Sequence, residues 1–223
     1  MNTFDELNVA PHRRFNPLAG EWVLVSPHRT QRPWQGQQEE ITDARRPAYD
    51  PGCYLCPGNE RASGQKNPDY AETFVFINDF SALLPGMPDR SMGDDPLFRA
   101  ESERGICKVI CFSPRHDLSV PDMGAEAVTR VVEVWKEEYE TLSANNDITY
   151  VQIFENKGAI MGCSNPHPHC QVWSSSRLPP IVAQEQDQQQ AYLAKYGRPL
   201  LLDYVDRELD VGTRVIYANA AFA

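Results

Sequence analysis

Residues 149–175 read TYVQIFENKGAIMGCSNPHPHCQVWSS. Two β-prone blocks, TYVQIFEN and HCQVWSS, flank the loop KGAIMGCSNPHP, which is too short for a parallel crossover, so the strands are expected to pair antiparallel. In the second block side chains alternate between faces: His169, Gln171 and Trp173 share one, Cys170 and Val172 the other. Outward from this pair, EWVLVSP (21–27), TFVFI (73–77) and GICKVICFS (105–113) read as further strands. One strongly periodic helix is expected in GAEAVTRVVEVWKEEYETLSA (124–144). There Val128, Val131, Val132, Trp135, Tyr139 and Leu142 recur at helical spacing and predict one face packed on a sheet. The polar stretch 183–196, with QEQDQQQ inside it, reads as a helix outside the sheet. PGMPDRSMGDD (85–95) reads as an exposed loop, and TRVIYANAAFA (213–223) starts like a strand with no later element to pair it. The pattern predicts an α+β fold, a mainly antiparallel sheet with helices packed on it.

With 223 residues, 41% hydrophobic and 23% charged, the chain can bury a real core, and no apolar run approaches the roughly 20 residues of a membrane helix. The opening MNTFDELNVAPHRR is acidic and polar, unlike a secretory signal. A net charge of −10 and a pI near 5.0 argue against a nucleic-acid surface, which needs clustered Lys and Arg. An anionic ligand must then be drawn by local cations. Six cysteines without an N-x-[ST] sequon point to a reduced, cytoplasmic setting, where Cys53 and Cys56, spaced C-x-x-C, read as metal ligands or a redox pair. Cys107 and Cys111, within an alternating strand, read as core residues.

The decapeptide SNPHPHCQVW (164–173) holds two of the five histidines. His169 and Gln171 face the same space, a pair suited to phosphoryl chemistry: an imidazole nitrogen attacks phosphorus and an amide N–H holds a non-bridging oxygen. The competing reading is a strand with two polar residues turned to water. Pro166 and Pro168 stiffen the backbone between them. A nucleophilic imidazole also needs its other nitrogen fixed as an N–H donor, and a backbone carbonyl is a candidate acceptor. His167, placed before the strand, would complete a tetrahedral Cys₂His₂ zinc site with Cys53, Cys56 and His116. CYLCPG lacks the strand-to-helix context of a redox motif. GNERASGQK (58–66) fails as a P-loop in both glycine spacing and the position of its lysine. Arg29 and Arg32 either neutralise a diphosphate or are ordinary surface charge, and His12 and His28 read as surface residues.

Taken together, RRFNPLAGEWVLVSPHRTQRPWQG, CYLCPGN, NPDY, FVFINDF, RGICKVICFSPRH, VQIFENKGAIMGCSNPHPHCQVW and LLDYVDREL resemble the galactose-1-phosphate uridylyltransferase family over about residues 12–208. That family is the transferase branch of the histidine-triad superfamily. Relatives that hydrolyse nucleotides carry a third histidine where this chain has Gln171. The resemblance implies a histidine-triad-like domain over 1–182, then a helical segment and the start of a second half over 183–223. Family members run well over a hundred residues further, so the second half of the two-repeat fold is expected to be missing or incomplete here.

The implied reaction is ping-pong. UDP-glucose gives UMP to His169, and galactose 1-phosphate takes it to yield UDP-galactose. Gln171 contacts the phosphoryl group. The family's structural zinc maps onto Cys53, Cys56, His116 and His167. Nucleotide contacts map onto Asn78, Asp79, Asn156, Gly162, Cys163 and Ser164. Arg29 and Arg32 match arginines that reach the neighbouring subunit's site, which implies a homodimer. Glu185 is what remains of a second metal site, for iron or zinc. The alternatives are a zinc-stabilised nucleotide-binding module without turnover and a nucleotide hydrolase of the same superfamily.

Overall fold

The computed structural model describes residues 7, 9–33, 46–93 and 95–222. The end of the HRTQRPWQG motif, from residue 34, lies outside the described residues. In chain order the strands are β1 (His12–Asn16), β2 (Glu21–Val25), β3 (Phe74–Ile77), β4 (Ser91–Met92), β5 (Ala100–Glu101), β6 (Gly105–Cys111), β7 (Tyr150–Phe154) and β8 (His169–Ser175). The α-helices are α1 (Ala125–Ser143), α2 (Pro180–Tyr196) and α3 (Leu200–Val211). Two compact units divide the chain, Met1–Glu40 with Pro179–Ala223, and Ile41–Leu178.

The second unit holds a four-stranded sheet in the order β3-β6-β8-β7, antiparallel throughout. The expected pairing of β7 with β8 is present, with Phe154 opposite Gln171 and Tyr150 opposite Ser175. Each strand sends alternate residues to one side. Ile110 of β6 and Cys170 and Val172 of β8 gather there with Phe112, Val131 and Leu142 into one buried cluster. Helix α1 supplies the last two, with Val134 and Trp135 packed against them. The spacing 131, 134, 135, 142 is the amphipathic stripe, and it differs from expectation at two places. Val132 and Tyr139 are half-exposed, and Val134 takes the inward position. Trp135 Nε1–H donates to Cys170 Sγ at 3.3 Å, and Lys108 Nζ meets Glu138 Oε2 at 2.5 Å, so helix and sheet are joined by polar contacts as well as apolar area. At the strand start, a Cβ on Gly105 would sit 1.9 Å from the Ser174 carbonyl oxygen, which leaves room for glycine alone.

Two further expectations fail. Within the segment read as exposed loop, Ser91–Met92 pair antiparallel with Ala100–Glu101, a ladder too short to show as periodicity. The tail expected to begin as a strand forms bends over 213–222 with no strand ladder among the described residues. β-prone residues such as Val215 and Ile216 need a neighbouring edge to become a strand, and none pairs with them.

In the first unit β1 and β2 form an antiparallel hairpin, His12 opposite Val25 and Asn16 opposite Glu21. The Asn16 side-chain oxygen accepts from the N–H groups of Leu18 and Ala19 and closes the turn. Gln184 of α2 donates to the Ala19 carbonyl at 2.6 Å. Helices α2 and α3 meet through Tyr192 Oη–H to Asp203 at 2.8 Å and an Arg198–Asp203 ion pair at 3.2 Å. No helix among the described residues is long and apolar enough to cross a membrane.

Ile110 is fully buried at the centre of the sheet core. Ile110→Val is expected to cost about 1 kcal/mol and Ile110→Ala about 3 kcal/mol of stability, read as a progressive loss in denaturant unfolding.

Candidate functional site

The sheet face opposite α1 carries the chemistry. Register places Cys107, Val109 and Cys111 of β6 beside Trp173, Gln171 and His169 of β8, with Phe76 and Phe74 of β3 opposite Val109 and Cys111. The loop containing Cys53, Leu55 and Cys56 packs on Val109, Cys111, Tyr70, Phe74 and Phe76. It covers the β3–β6 half of the face and leaves the His169–Gln171–Trp173 side partly open. Burial pushes the Cys111 thiol up to about 12, so it is a neutral packing group.

That loop is a knuckle built by side-chain amides. Cys56 N–H donates to the Cys53 carbonyl at 3.2 Å. Asn59 Nδ2 donates to the Asp50 and Cys53 carbonyls, and Asn67 Nδ2 to those of Tyr54 and Cys56. Turn backbone that would otherwise be buried unpaired is satisfied this way. Four ligand atoms from Cys53, Cys56, His116 and His167 lie within 4.8 Å of one another, and all four residues are buried. Cys56 Sγ is 3.6 Å from His116 Nδ1 and 3.5 Å from His167 Nδ1.

The surroundings fit a metal. His167 Nε2–H faces the Ser113 carbonyl at 2.9 Å and Tyr70 Oη at 3.0 Å, which fixes the tautomer whose Nδ1 lone pair turns toward the thiols. Tyr70 in turn donates to the Leu55 carbonyl at 2.6 Å, and its burial pushes the hydroxyl well above its ordinary value, so it stays neutral. Burial holds His167 neutral, pushed down to about 4. Burial likewise raises the Cys56 thiol to about 11, the state from which a bound cation would displace a proton. Asn165 bridges two ligands: its Nδ2 donates to Cys53 Sγ at 3.4 Å and its Oδ1 accepts from His167 N–H at 2.9 Å. A four-residue Cys/His cluster with these outer partners is a candidate metal-binding cluster.

His169 sits two residues on. Its Nδ1–H donates to the His167 carbonyl at 2.7 Å, which leaves the Nε2 lone pair for other work. Trp173 Nε1, a donor only, points at Gln171 Oε1 at 3.0 Å, so the Gln171 amide presents its NH₂ end to any ligand. Two cavities meet at His169. One of about 340 Å³ is lined by Tyr54, Leu55, Phe76, Asn78, Asp79, Ser164 and Gln171 among others. The other, of about 250 Å³, is lined by Arg46, Asn156, Lys157, Cys163 and their neighbours. Thus Asn78, Asp79, Ser164 and Gln171 gather on one side of His169, and Asn156 and Cys163 on the other. Gly162 contributes a turn: it ends the 3₁₀ segment Ala159–Met161 with φ of 79°, a conformation natural to glycine. Arg29 and Arg32 belong to the first unit, exposed on and just after the 3₁₀ turn Pro27–Gln31. Glu185 lies on α2 of that unit, and among the described residues it joins no converging group of metal ligands.

Several supporting residues are not singled out by the motifs around them. Asn165, Asn67 and Tyr70 are named only by the hydrogen bonds they make, and Arg46 is found because its Nη1 donates to the Pro166 carbonyl at 2.7 Å, holding the His-Pro-His turn. The SNP and NPDY runs offered a weak signal, since Asn before Pro favours a turn. Asn165→Ala removes the bridge between Cys53 and His167. It is expected to weaken metal binding by about tenfold or more in competition with a chelator.

Residues 2–179 match the family described as galactose-1-phosphate uridyl transferase, N-terminal domain. A galactose-1-phosphate uridylyltransferase of Haemophilus influenzae is 53% identical over 206 residues, covering 92% of this chain and 58% of that protein. One of Rattus norvegicus is 52% identical over 198 residues, covering 89% and 52%. The chain therefore spans little more than half the length of these relatives. Among solved structures, a uridylyltransferase aligns with a TM-score of 0.64 at 23% identity, covering 93% of this chain and 58% of that one. An ADP-glucose phosphorylase from Arabidopsis thaliana with bound ADP-glucose aligns at 0.61 and 22%, covering 85% and 56%. These two share the fold. By the family match and the two sequence relatives, the chain belongs to the galactose-1-phosphate uridylyltransferase family.

Proposed function

We propose that this chain carries the nucleophile-bearing part of a uridylyltransferase that moves UMP from UDP-glucose to galactose 1-phosphate. The observation that carries the reading is the 2.7 Å hydrogen bond from His169 Nδ1 to the His167 carbonyl. It leaves Nε2 as the nucleophile. Nε2 attacks the α-phosphorus of UDP-glucose, an N–P bond forms, and the bridging P–O bond breaks with departure of glucose 1-phosphate. The imidazole then carries positive charge, which the carbonyl on Nδ1–H stabilises. Gln171 donates its amide N–H to a non-bridging oxygen as charge builds. In the second half a phosphate oxygen of galactose 1-phosphate attacks the same phosphorus, the N–P bond breaks, and UDP-galactose leaves with His169 restored.

Around this step the nucleotide lies against Asn78, Asp79 and Ser164, with Asn156, Gly162 and Cys163 on the sugar-phosphate side. Cys53, Cys56, His116 and His167 hold a structural zinc, a choice favoured by the Cys₂His₂ donor set. Bound there between two thiolates and two imidazoles, zinc would supply a cross-link without net charge. Arg29 and Arg32 neutralise the diphosphate in a second copy's site, which makes the working form a homodimer. Glu185 offers one carboxylate to a second metal, iron or zinc. None of the six cysteines is in a disulfide, the state the cytoplasm maintains, and we place the protein there. A second reading is a zinc-stabilised module that binds nucleotide without turnover, and the buried cluster of Cys53, Cys56, His116 and His167 supports it.

UDP-glucose labelled in the uridylyl group is expected to leave covalent label on the protein, and His169→Ala to reduce it to background. Equal labelling of the Ala variant sinks the assignment. Label without sustained formation of UDP-galactose supports the module reading, and release of free UMP without acceptor supports a hydrolase.

Elemental analysis is expected to find about one zinc per chain in that cluster. Cys53→Ser should remove most of it and lower the thermal midpoint, because folding and metal binding are coupled. Loss of zinc at unchanged midpoint would show the site is not structural.

A further inference from the structure

Arg61 is a buried cation in a place where stability alone does not require one. Only 8% of the residue is exposed. Its guanidinium lies 4.1 Å from the Phe76 ring centroid, and one Nη donates to Gln65 Oε1. The remaining contact is ionic: Nε lies 3.5 Å from Asp79 Oδ2, without the geometry of a hydrogen bond. Asp79 is itself 88% buried in its side chain, which is 12% exposed, and it lines the cavity shared by His169 and Gln171. Exchanging a buried ion pair for apolar side chains is often neutral or stabilising, so the pair is better explained by what the carboxylate faces.

Two physical facts make the arrangement useful. A carboxylate lining a cavity for a phosphate-bearing ligand repels that ligand unless its charge is cancelled, and the chain as a whole is already at −10. A carboxylate is also an acceptor only, so its natural partners are hydroxyl or N–H groups, and it discriminates well only when its orientation is fixed. Arg61 meets both needs. Its own position is set by the turn that follows the knuckle: its backbone N–H donates to the Gln65 carbonyl at 2.8 Å, and Gly64 N–H returns to the Arg61 carbonyl at 2.9 Å. Asn67, two residues beyond Gln65, holds the Tyr54 and Cys56 carbonyls.

We propose that Arg61 is a positioning residue of this cavity, fixing and neutralising the Asp79 carboxylate so that it accepts the ribose hydroxyls of a nucleotide seated beside His169. The inference rests on the uridylyltransferase reading of the cavity.

The test is equilibrium binding of UMP and of 2′,3′-dideoxy-UMP to the full chain, its Arg61→Met and Asp79→Asn variants, and the double variant. Met keeps an apolar stem over Phe76 and removes the charge. Arg61→Met is expected to weaken UMP binding by about tenfold and dideoxy-UMP binding by less than threefold. In the Asp79→Asn background the same change should have little further effect on UMP, with metal content unchanged throughout. Partial rescue by Arg61→Lys is expected, since Lys restores charge without the planar fork. Equal weakening of both nucleotides, additive effects in the double variant, or metal loss in Arg61→Met would overturn the proposal by making Arg61 a structural residue. Failure of His169 labelling by UDP-glucose brings down the cavity reading and this inference together, whereas labelling with Arg61-insensitive UMP binding brings down this inference alone.

Discussion

The convergence of Cys53, Cys56, His116 and His167 is the constraint on which the site depends. These residues come from three places: a turn before β3, the loop after β6, and the segment entering β8. Nothing in local propensity brings them together. The knuckle's apolar contribution is small, chiefly Leu55 on a surface of Val109, Tyr70, Phe74 and Phe76. A metal held by these four buried donors would join the three segments where apolar area is scarce, and the same donors are poor partners for one another without it. Two buried thiols and two buried imidazoles gain little by mutual contact.

The position of His169 follows from that constraint by two residues of chain. His167 faces the thiols with Nδ1 and uses its own carbonyl to hold His169 Nδ1–H. Pro168 between them is buried and has no N–H to offer elsewhere, so the carbonyl and the imidazole cannot easily separate. Phe112 N–H donates to the Pro168 carbonyl at 2.9 Å, which aligns this turn with the end of β6. One short segment thus places a donor of the Cys/His cluster, an orienting acceptor and the imidazole proposed as nucleophile within three residues. This explains why two histidines stand either side of a proline.

How much of this was legible in the residues varies with the range of the interaction. The β7–β8 pairing, the face shared by His169 and Gln171, and the burial of Cys170 follow from period-two alternation, a local rule that the sheet obeys. The members of the candidate Cys/His cluster were legible because their residue types are rare and specific. The inward stripe of α1 was read one position off at Val132, because a run of Val131, Val132 and Val134 fits two neighbouring registers and only the packed partner decides. Helix α3 was not read as a helix, and β1 was missed because HRRFN alternates poorly. The supporting residues Asn67, Tyr70, Arg61 and Asn165 lie in quoted stretches, but their roles are not legible there because ordinary polar residues acquire them only from partners elsewhere in the chain.

An acidic chain that takes an anionic ligand has to create local fields opposite to its overall charge. In the second unit the proposed site would do this in two ways. Arg46 and Lys157 line the smaller cavity beside His169 as cations open to solvent, where screening limits their reach to roughly a Debye length. On the larger cavity Arg61 works from within the protein, where the same charge is poorly screened and its direction is fixed by Phe76 and Gln65. A buried cation that cancels a carboxylate leaves the carboxylate's hydrogen-bonding capacity intact while removing its repulsion. The cavity can then recognise hydroxyl groups and tolerate phosphate in one ligand, which is the combination a ribonucleotide presents.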